Sequence, residues 1–242
     1  MKKYFGLALL LTTLLFACKK QNEAFSTASL SDYYPLQVGK YITYNLDSTV
    51  FINFSTKDTI IKYQVKDSVS AKITDNLGRP AFSITRYIRK NAGDAWTGNN
   101  TFMAIPTENT IEFVENNLRF QKLKLPVVQG FTWKGNSYIE TYTNFPYLDN
   151  WDYTYDSINA PITLGTLHIF NTIKVSQRDE FIGQDPKLPS TLFAEKTYAV
   201  EKYAKDIGLI YKEFIHWEYQ GHQAASPGFT GYGVKLTMID HN

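Results

Sequence analysis

From residue 32 onward, apolar and polar positions alternate with a period of two, in segments rich in Tyr, Phe, Thr, Ile and Val. Such a period sends successive side chains to opposite faces, so it predicts strands with one buried face. Strands are expected at 41–50, 60–74, 82–89, 110–115, 118–125, 137–143, 151–156, 166–178, 197–203, 209–219 and 233–240. Clusters of Gly, Pro, Asn and Asp separate them. Asp75-Asn76-Leu77-Gly78-Arg79-Pro80 and Asn91-Ala92-Gly93-Asp94 read as turns, and Asn116-Asn117 as a tight hairpin. Residues 194–205 have helical propensity, but Thr197, Tyr198, Val200 and Tyr203 suit a strand, and a strand is the reading adopted. The stretch 179–193, with Gly183, Pro186 and Pro189, reads as a long exposed connection. The fold class is therefore all-β with little helix: a single antiparallel β-sandwich or a curved half-barrel sheet of about a dozen strands. Two proline-led segments, 35–42 and 126–133, both place glycine four residues after proline and then an aromatic, so each reads as a turn that releases a strand.

The alternation is absent before residue 32. Lys2 and Lys3 form a basic start, Phe5 to Phe16 an apolar run of 12 residues, and Ala17 a small residue before Cys18. A bilayer-spanning helix needs about 20 apolar residues, so the run reads as a signal peptide rather than an anchor helix. Leu15 three before the cysteine and Ala17 one before it fit a bacterial lipobox, although Phe16 is bulkier than the usual occupant between them. Cys18 is the only cysteine in the chain and is the expected lipidation site. The expected boundaries are a signal at 1–17, a lipid-anchored tether at 18–31 and one β-rich domain at 32–242. The polar residues 19–31 could stretch to about 45 Å. A mature chain without further cysteine forms no internal disulfide, so its stability comes from its core.

Charge then excludes several partners. Loss of Lys2 and Lys3 takes the 25 basic residues to 23, equal to the 23 acidic ones. A neutral domain with no long Lys/Arg run is not built for nucleic acid. With 43% apolar residues and both signs of charge dispersed, it is not a disordered chain either.

Several pieces carry a resemblance: Tyr34-Pro35-Leu36-Gln37-Val38-Gly39, Glu115-Asn116-Asn117-Leu118-Arg119, Leu125-Pro126 to Asn136, Tyr203 to Glu213, and Gly231-Tyr232-Gly233-Val234 to Asn242. Together they resemble uncharacterised lipoproteins of Bacteroidetes-type bacteria over most of the mature chain. The resemblance implies a single-domain envelope lipoprotein, most simply of the outer membrane. It implies no activity and no catalytic residue.

Candidate chemistry is sparse. Of His168, His216, His222 and His241, two share a predicted strand face, where His216, Glu218, Gln220 and His222 would project together. That spacing matches no closed zinc motif, and a polar strand face explains it as well. Asp149, Asp152 and Asp156 lack the spacing and glycine of a calcium loop. Asp240-His241-Asn242 reads as a surface strand end. No nucleophile elbow, His-Glu-x-x-His pair or phosphate loop occurs. No catalytic residue, metal site or cofactor is assigned, and the chain is read as a non-enzyme. The aromatic crowd Tyr138, Tyr142, Tyr147, Trp151, Tyr153 and Tyr155 is the candidate ligand-binding surface, since such rings stack on sugars or line apolar cavities. The expected function is a lipid-anchored envelope module that binds or assembles with a hydrophobic, glycan or protein ligand. The alternatives are an envelope hydrolase with a dispersed site and a structural subunit of a surface complex.

Overall fold

A computed structural model describes residues 28–221, 224 and 227–242. The expected signal peptide, the lipidation of Cys18, most of the tether and His222 lie outside the described residues.

One antiparallel sheet of twelve strands accounts for the architecture. Its strands are β1 (Tyr41–Ile52), β2 (Lys57–Thr74), β3 (Pro80–Arg89), β4 (Thr97–Pro106), β5 (Thr110–Glu115) and β6 (Leu118–Lys124), then β7 (Thr132–Lys134), β8 (Asp152–Leu164), β9 (Leu167–Gly183), β10 (Phe193–Ala204), β11 (Gly208–Gln220) and β12 (Gly228–His241). The chain zigzags from β1 out to β6, crosses to β7, and zigzags back until β12 pairs with β1. The first and last strands therefore meet mid-sheet, and β6 and β7 are its edges. Of the two architectures expected, this is the curved half-barrel sheet.

The edges do not stay apart. The Gln121 N–H on β6 donates to the Gly135 carbonyl beyond β7 at 2.8 Å, and the Trp133 indole N–H donates back to the Gln121 carbonyl at 2.8 Å. One turn along, the Tyr155 hydroxyl donates to the Lys124 carbonyl at 2.8 Å and accepts the Lys124 N–H at 3.0 Å. Side chains thus satisfy an exposed strand edge where a ladder would otherwise continue, which covers a template for unwanted pairing. Gly135 is required here, because a Cβ would lie 2.5 Å from the buried Tyr153 ring.

Four differences from the sequence reading have physical reasons. β4 was not expected, because Gly98, Asn99 and Asn100 mask its alternation, yet Phe102 and Ala104 bury on its inner face. Residues 137–143, expected as a strand, form a loop with no partner strand. There the Glu140 carboxylate accepts the Tyr142 and Thr143 N–H groups in place of a ladder. β9 continues to Gly183, into the stretch expected as a connection. Leu30 lies in the stretch expected as tether, but it is buried in the four-residue helix α1 (Leu30–Tyr33), which Ser29 caps. The strand reading of 194–205 and the Asn116-Asn117 hairpin match the structure; both asparagines have positive φ, as a two-residue turn of that kind demands. Gly39 and Gly130, from the two proline-led segments, are both left-handed, with φ of 94° and 83°.

α1 closes the end of the sheet where β1 begins. Asp206 N–H donates to the Asp32 carbonyl at 2.6 Å, and the Tyr33 hydroxyl reaches Asn159 at 3.3 Å. Above it, the main core packs Tyr33, Leu123, Trp133, Trp151, Tyr153, Tyr155, Ile173 and Tyr203 between the facing walls.

Candidate functional site

The inner face is apolar by alternation, with conspicuous interruptions. On β2, Asp67 stands between Val65 and Val69; on β3, Arg86 between Ile84 and Ile88; on β11, Lys212 between Ile210 and Phe214. Glu115 ends β5 on the same face as Phe113, and Glu201 on β10 lies between Ala199 and Tyr203. Lys122 is brought in differently. Glu112 pairs with Gln121 and Ile111 with Leu123, so Lys122 is the extra residue of a β-bulge. A second bulge on β9 frees Gln177 in the same way.

These six charges line one small cavity of about 80 Å³. They form three ion pairs. The Arg86 guanidinium donates twice to Asp67, both at 2.6 Å, and lies over the Phe102 ring. The Lys122 ammonium donates to Glu201 at 2.6 Å, and the Lys212 ammonium to Glu115 at 3.1 Å. Glu201 has both oxygens engaged, because Gln177 and the Tyr203 hydroxyl also donate to it, at 2.9 and 2.6 Å. Lys212 uses one of its three ammonium donors among the described residues, whereas Lys122 uses one on Glu201 and also lies 4.8 Å from the centroid of the Phe120 ring, so the donors spare for a cavity occupant are chiefly those of Lys212. Glu115 and Lys212 keep 23% and 19% exposure, on surface that faces the cavity.

The charges hold one another ionised. Burial pushes the Glu115 carboxyl up, but Lys212, Lys122 and Arg86 outweigh it and leave it at about 2. Burial likewise raises Glu201, and Lys122 and Lys212 reverse the sign. Lys122 is lowered, because its burial outweighs Glu201, whereas for Lys212 the attraction of Glu115 and Glu201 outweighs burial and raises it. Tyr34, Tyr44 and Tyr203 are pushed well above the ordinary phenol value, chiefly by burial, and stay neutral donors.

Toward the end that α1 covers, the lining turns apolar: Leu36, Ile42, Ile207 and Leu209. The Lys40 ammonium crosses this mouth to the Asp206 carbonyl at 2.8 Å. Gly208, at φ 113°, leaves room for Ile42 and Pro35, which a Cβ would meet at 3.3 and 3.7 Å. The site is therefore a narrow channel, apolar at its mouth apart from Lys40, that ends on three balanced ion pairs.

The aromatic crowd expected as one binding surface is divided. Trp151, Tyr153 and Tyr155 are buried in the main core, because strand alternation turns the two tyrosines of β8 inward. Tyr138 and Tyr142 are exposed on the loop after β7. Tyr147 stacks on His216 with centroids 3.9 Å apart. His216 is buried beneath it, its Nδ1 3.0 Å from the Thr197 hydroxyl and 3.9 Å from Glu195. Burial lowers its basicity against the pull of Glu218. Asp149, Asp152 and Asp156 do not converge: they are held by Thr141, Lys134 and Lys174 respectively. His168 pairs with Thr163 on an exposed hairpin, and His241 is exposed at the end of β12. Among the described residues no group of three or more His, Cys, Asp or Glu could hold a metal, and no helix is long and apolar enough to cross a membrane.

None of the six cavity charges was singled out from the sequence. The available signal was a charge at a position where period two calls for an apolar residue, repeated on five strands; Lys122 lacks even that, because the bulge shifts its phase.

No family model matches the chain, and no curated protein matches it. Among solved structures, a DUF1329 family protein from Desulfovibrio piger is similar over 86% of this chain and 87% of its own, at 9% identity and a TM-score of 0.17. That likeness is too slight to carry an argument.

Proposed function

We propose that the protein is a non-enzymatic binding module, lipid-anchored at Cys18 in the bacterial cell envelope, whose inner cavity holds the polar end of a small amphipathic molecule. The observation that carries this reading is the channel itself, with apolar walls at its mouth and spare lysine donors at its inner end. Ligand sites combine mostly apolar walls with a few placed polar groups in this way. Magnitude limits the occupant. Sites for whole drug-sized molecules span roughly 300–1,000 Å³, so about 80 Å³ receives the end of a molecule, not all of it. Charge limits it further. At the inner end three cations and three anions balance, while Lys40 at the mouth is held only by the neutral Asp206 carbonyl, so a net anion or cation would bring an unpaired charge to the inner end. A hydroxyl, amide or zwitterionic group suits the donors and the free Glu115 oxygen.

Native mass spectrometry of the lipidated protein, extracted from its own envelope in detergent, tests the site. A bound small molecule is expected, and it should be absent from Lys122→Met/Glu201→Leu, which keeps the walls and removes one balanced pair. Recovery of the protein without ligand, or retention by the double variant, would sink the reading. The anchor is tested separately: a labelled fatty acid should attach to the wild type and not to Cys18→Ala.

A further inference from the structure

The outer wall carries a second hollow that this reading does not use. Four rings from four strands form a row across it: Phe51 on β1, Phe229 on β12, Trp217 on β11 and Phe181 on β9. Phe51 and Phe229 stack with centroids 5.2 Å apart and planes 4° from parallel. Phe229 then meets Trp217 at 5.2 Å and 81°, and Phe181 meets Trp217 from the other side at 6.1 Å and 77°. The indole is thus flanked on both sides by rings turned across it. The hollow over this row measures about 500 Å³, inside the size range of small-molecule sites, and Phe181 is 49% exposed beside it.

Its border is polar. Asp58 approaches from β2, and Asp185 and Lys187 from the connection between β9 and β10. Asp58 and the Lys187 ammonium make no ion pair among the described residues, and Asp185 uses one carboxylate oxygen to accept the Lys187 N–H at 3.0 Å. A hydrocarbon occupant would leave these exposed groups to water and make no use of them. A purely apolar protein face would do the same. A sugar ring offers both kinds of surface at once: a C–H face for the rings and hydroxyls around its rim for carboxylates and an ammonium.

We propose that this hollow binds a saccharide, with one pyranose ring against Trp217 and its hydroxyls held by Asp58, Asp185 and Lys187. The site is independent of the inner cavity, and each can fail without the other.

The test titrates the detergent-solubilised full chain with maltose, cellobiose and N,N′-diacetylchitobiose, followed by indole fluorescence and by saturation-transfer NMR. Saturable binding is expected for at least one disaccharide. Trp217→Leu should weaken it about tenfold or more, as loss of a stacking ring does. Asp58→Asn, on an exposed side chain that leaves the fold undisturbed, should weaken it less but measurably. Lys122→Met/Glu201→Leu should leave it unchanged. No saturable binding to any of the three, or binding indifferent to both Trp217→Leu and Asp58→Asn, overturns the proposal. Association with phospholipid vesicles that Trp217→Leu abolishes, without any sugar binding, overturns it in favour of a membrane contact.

Discussion

Two clusters of charge occupy the two faces of the same sheet, and they differ in what they leave unused. On the outside, Asp75, Arg79, Glu112 and Arg119 join the turn after β2 to β5 and β6. Arg79 bonds both oxygens of Glu112, at 3.4 and 3.0 Å, and Asp75 at 2.8 Å, while Arg119 adds a 2.6 Å bond to Glu112. Asp75 also accepts the Leu77 and Arg79 N–H groups, both at 2.9 Å. Here the carboxylates are covered, at 0% and 3% exposure, but the guanidiniums keep 33% and 22% and remain solvated. Inside, the cations are as deep as the anions, and Lys212 holds ammonium donors that no acceptor among the described residues takes. Ion pairs thus act as a clamp where their arginines reach water, and line a cavity where arginine and lysines are turned inward.

The largest expected effect breaks the inner cluster on one side. Glu201→Leu leaves Lys122 buried without its partner, and removal of one member of such a pair costs about 3–5 kcal/mol. Adding Lys122→Met should restore part of that stability, since the uncompensated ammonium is gone, while the buried Gln177 and Tyr203 donors still lack the acceptor they had in Glu201. Urea unfolding of the lipid-free chain measures both. A double variant as unstable as the single one would show that the cluster is held together by something other than this pairing.

Acid should act on the same cluster more weakly. Glu115 titrates at about 2 in the folded chain, below its ordinary 4.5. A depressed carboxylate contributes stability that is complete above its unfolded value and is lost as pH falls through the folded one. The affected window is therefore about pH 4.5 down to 2, and the shift corresponds to at most about 3 kcal/mol. Glu115→Gln should flatten this part of the stability–pH curve, and an unchanged acid slope in that variant would remove Glu115 from the account.

How much of this was open to sequence reading depends on which link of the chain of cause is asked for. Eleven strands were expected, and alternation placed ten of them close to where they lie, because one buried face forces the period. It passed over β4, whose Gly98, Asn99 and Asn100 imitate a turn, and over β7, which at three residues is too short to show a period, and it gave 137–143 a strand that has no partner to pair with. Closure was illegible: that β12 returns beside β1, and that Trp133 and Tyr155 seal the β6 edge, depends on contacts more than ten residues apart. The aromatic run 147–155 was noticed for its rings, yet the phase of β8 sends Tyr153 and Tyr155 into the core. The inner charges were visible as breaks in apolar alternation on β2, β3, β5, β10 and β11. No single break is remarkable in a half-exposed strand; their meaning comes from facing one another across the barrel, and Lys122 joins them only through a bulge.

The smallest effect bears most directly on the comparison. Glu112→Gln removes an acceptor from two arginines that are already partly in water, so they can rehydrate without leaving the surface. The expected loss is about 1.5 kcal/mol, the low end of the range for a hydrogen bond to a charged group, because water can replace part of what the arginines lose. Salt separates the faces further. At about 0.5 M NaCl the screening length falls well below its 8 Å value at physiological ionic strength, and solvated pairs lose much of their attraction. The gap between wild type and Glu112→Gln should therefore shrink in salt, while the gap for Glu201→Leu stays nearly as large, because a buried pair is screened much less than a solvated one. If both gaps shrink together, the inner pairs are wet, and the distinction between clamp and site is lost. If neither shrinks, Arg79 and Arg119 are more sequestered than their exposure indicates, and the outer cluster belongs to the same class as the inner one.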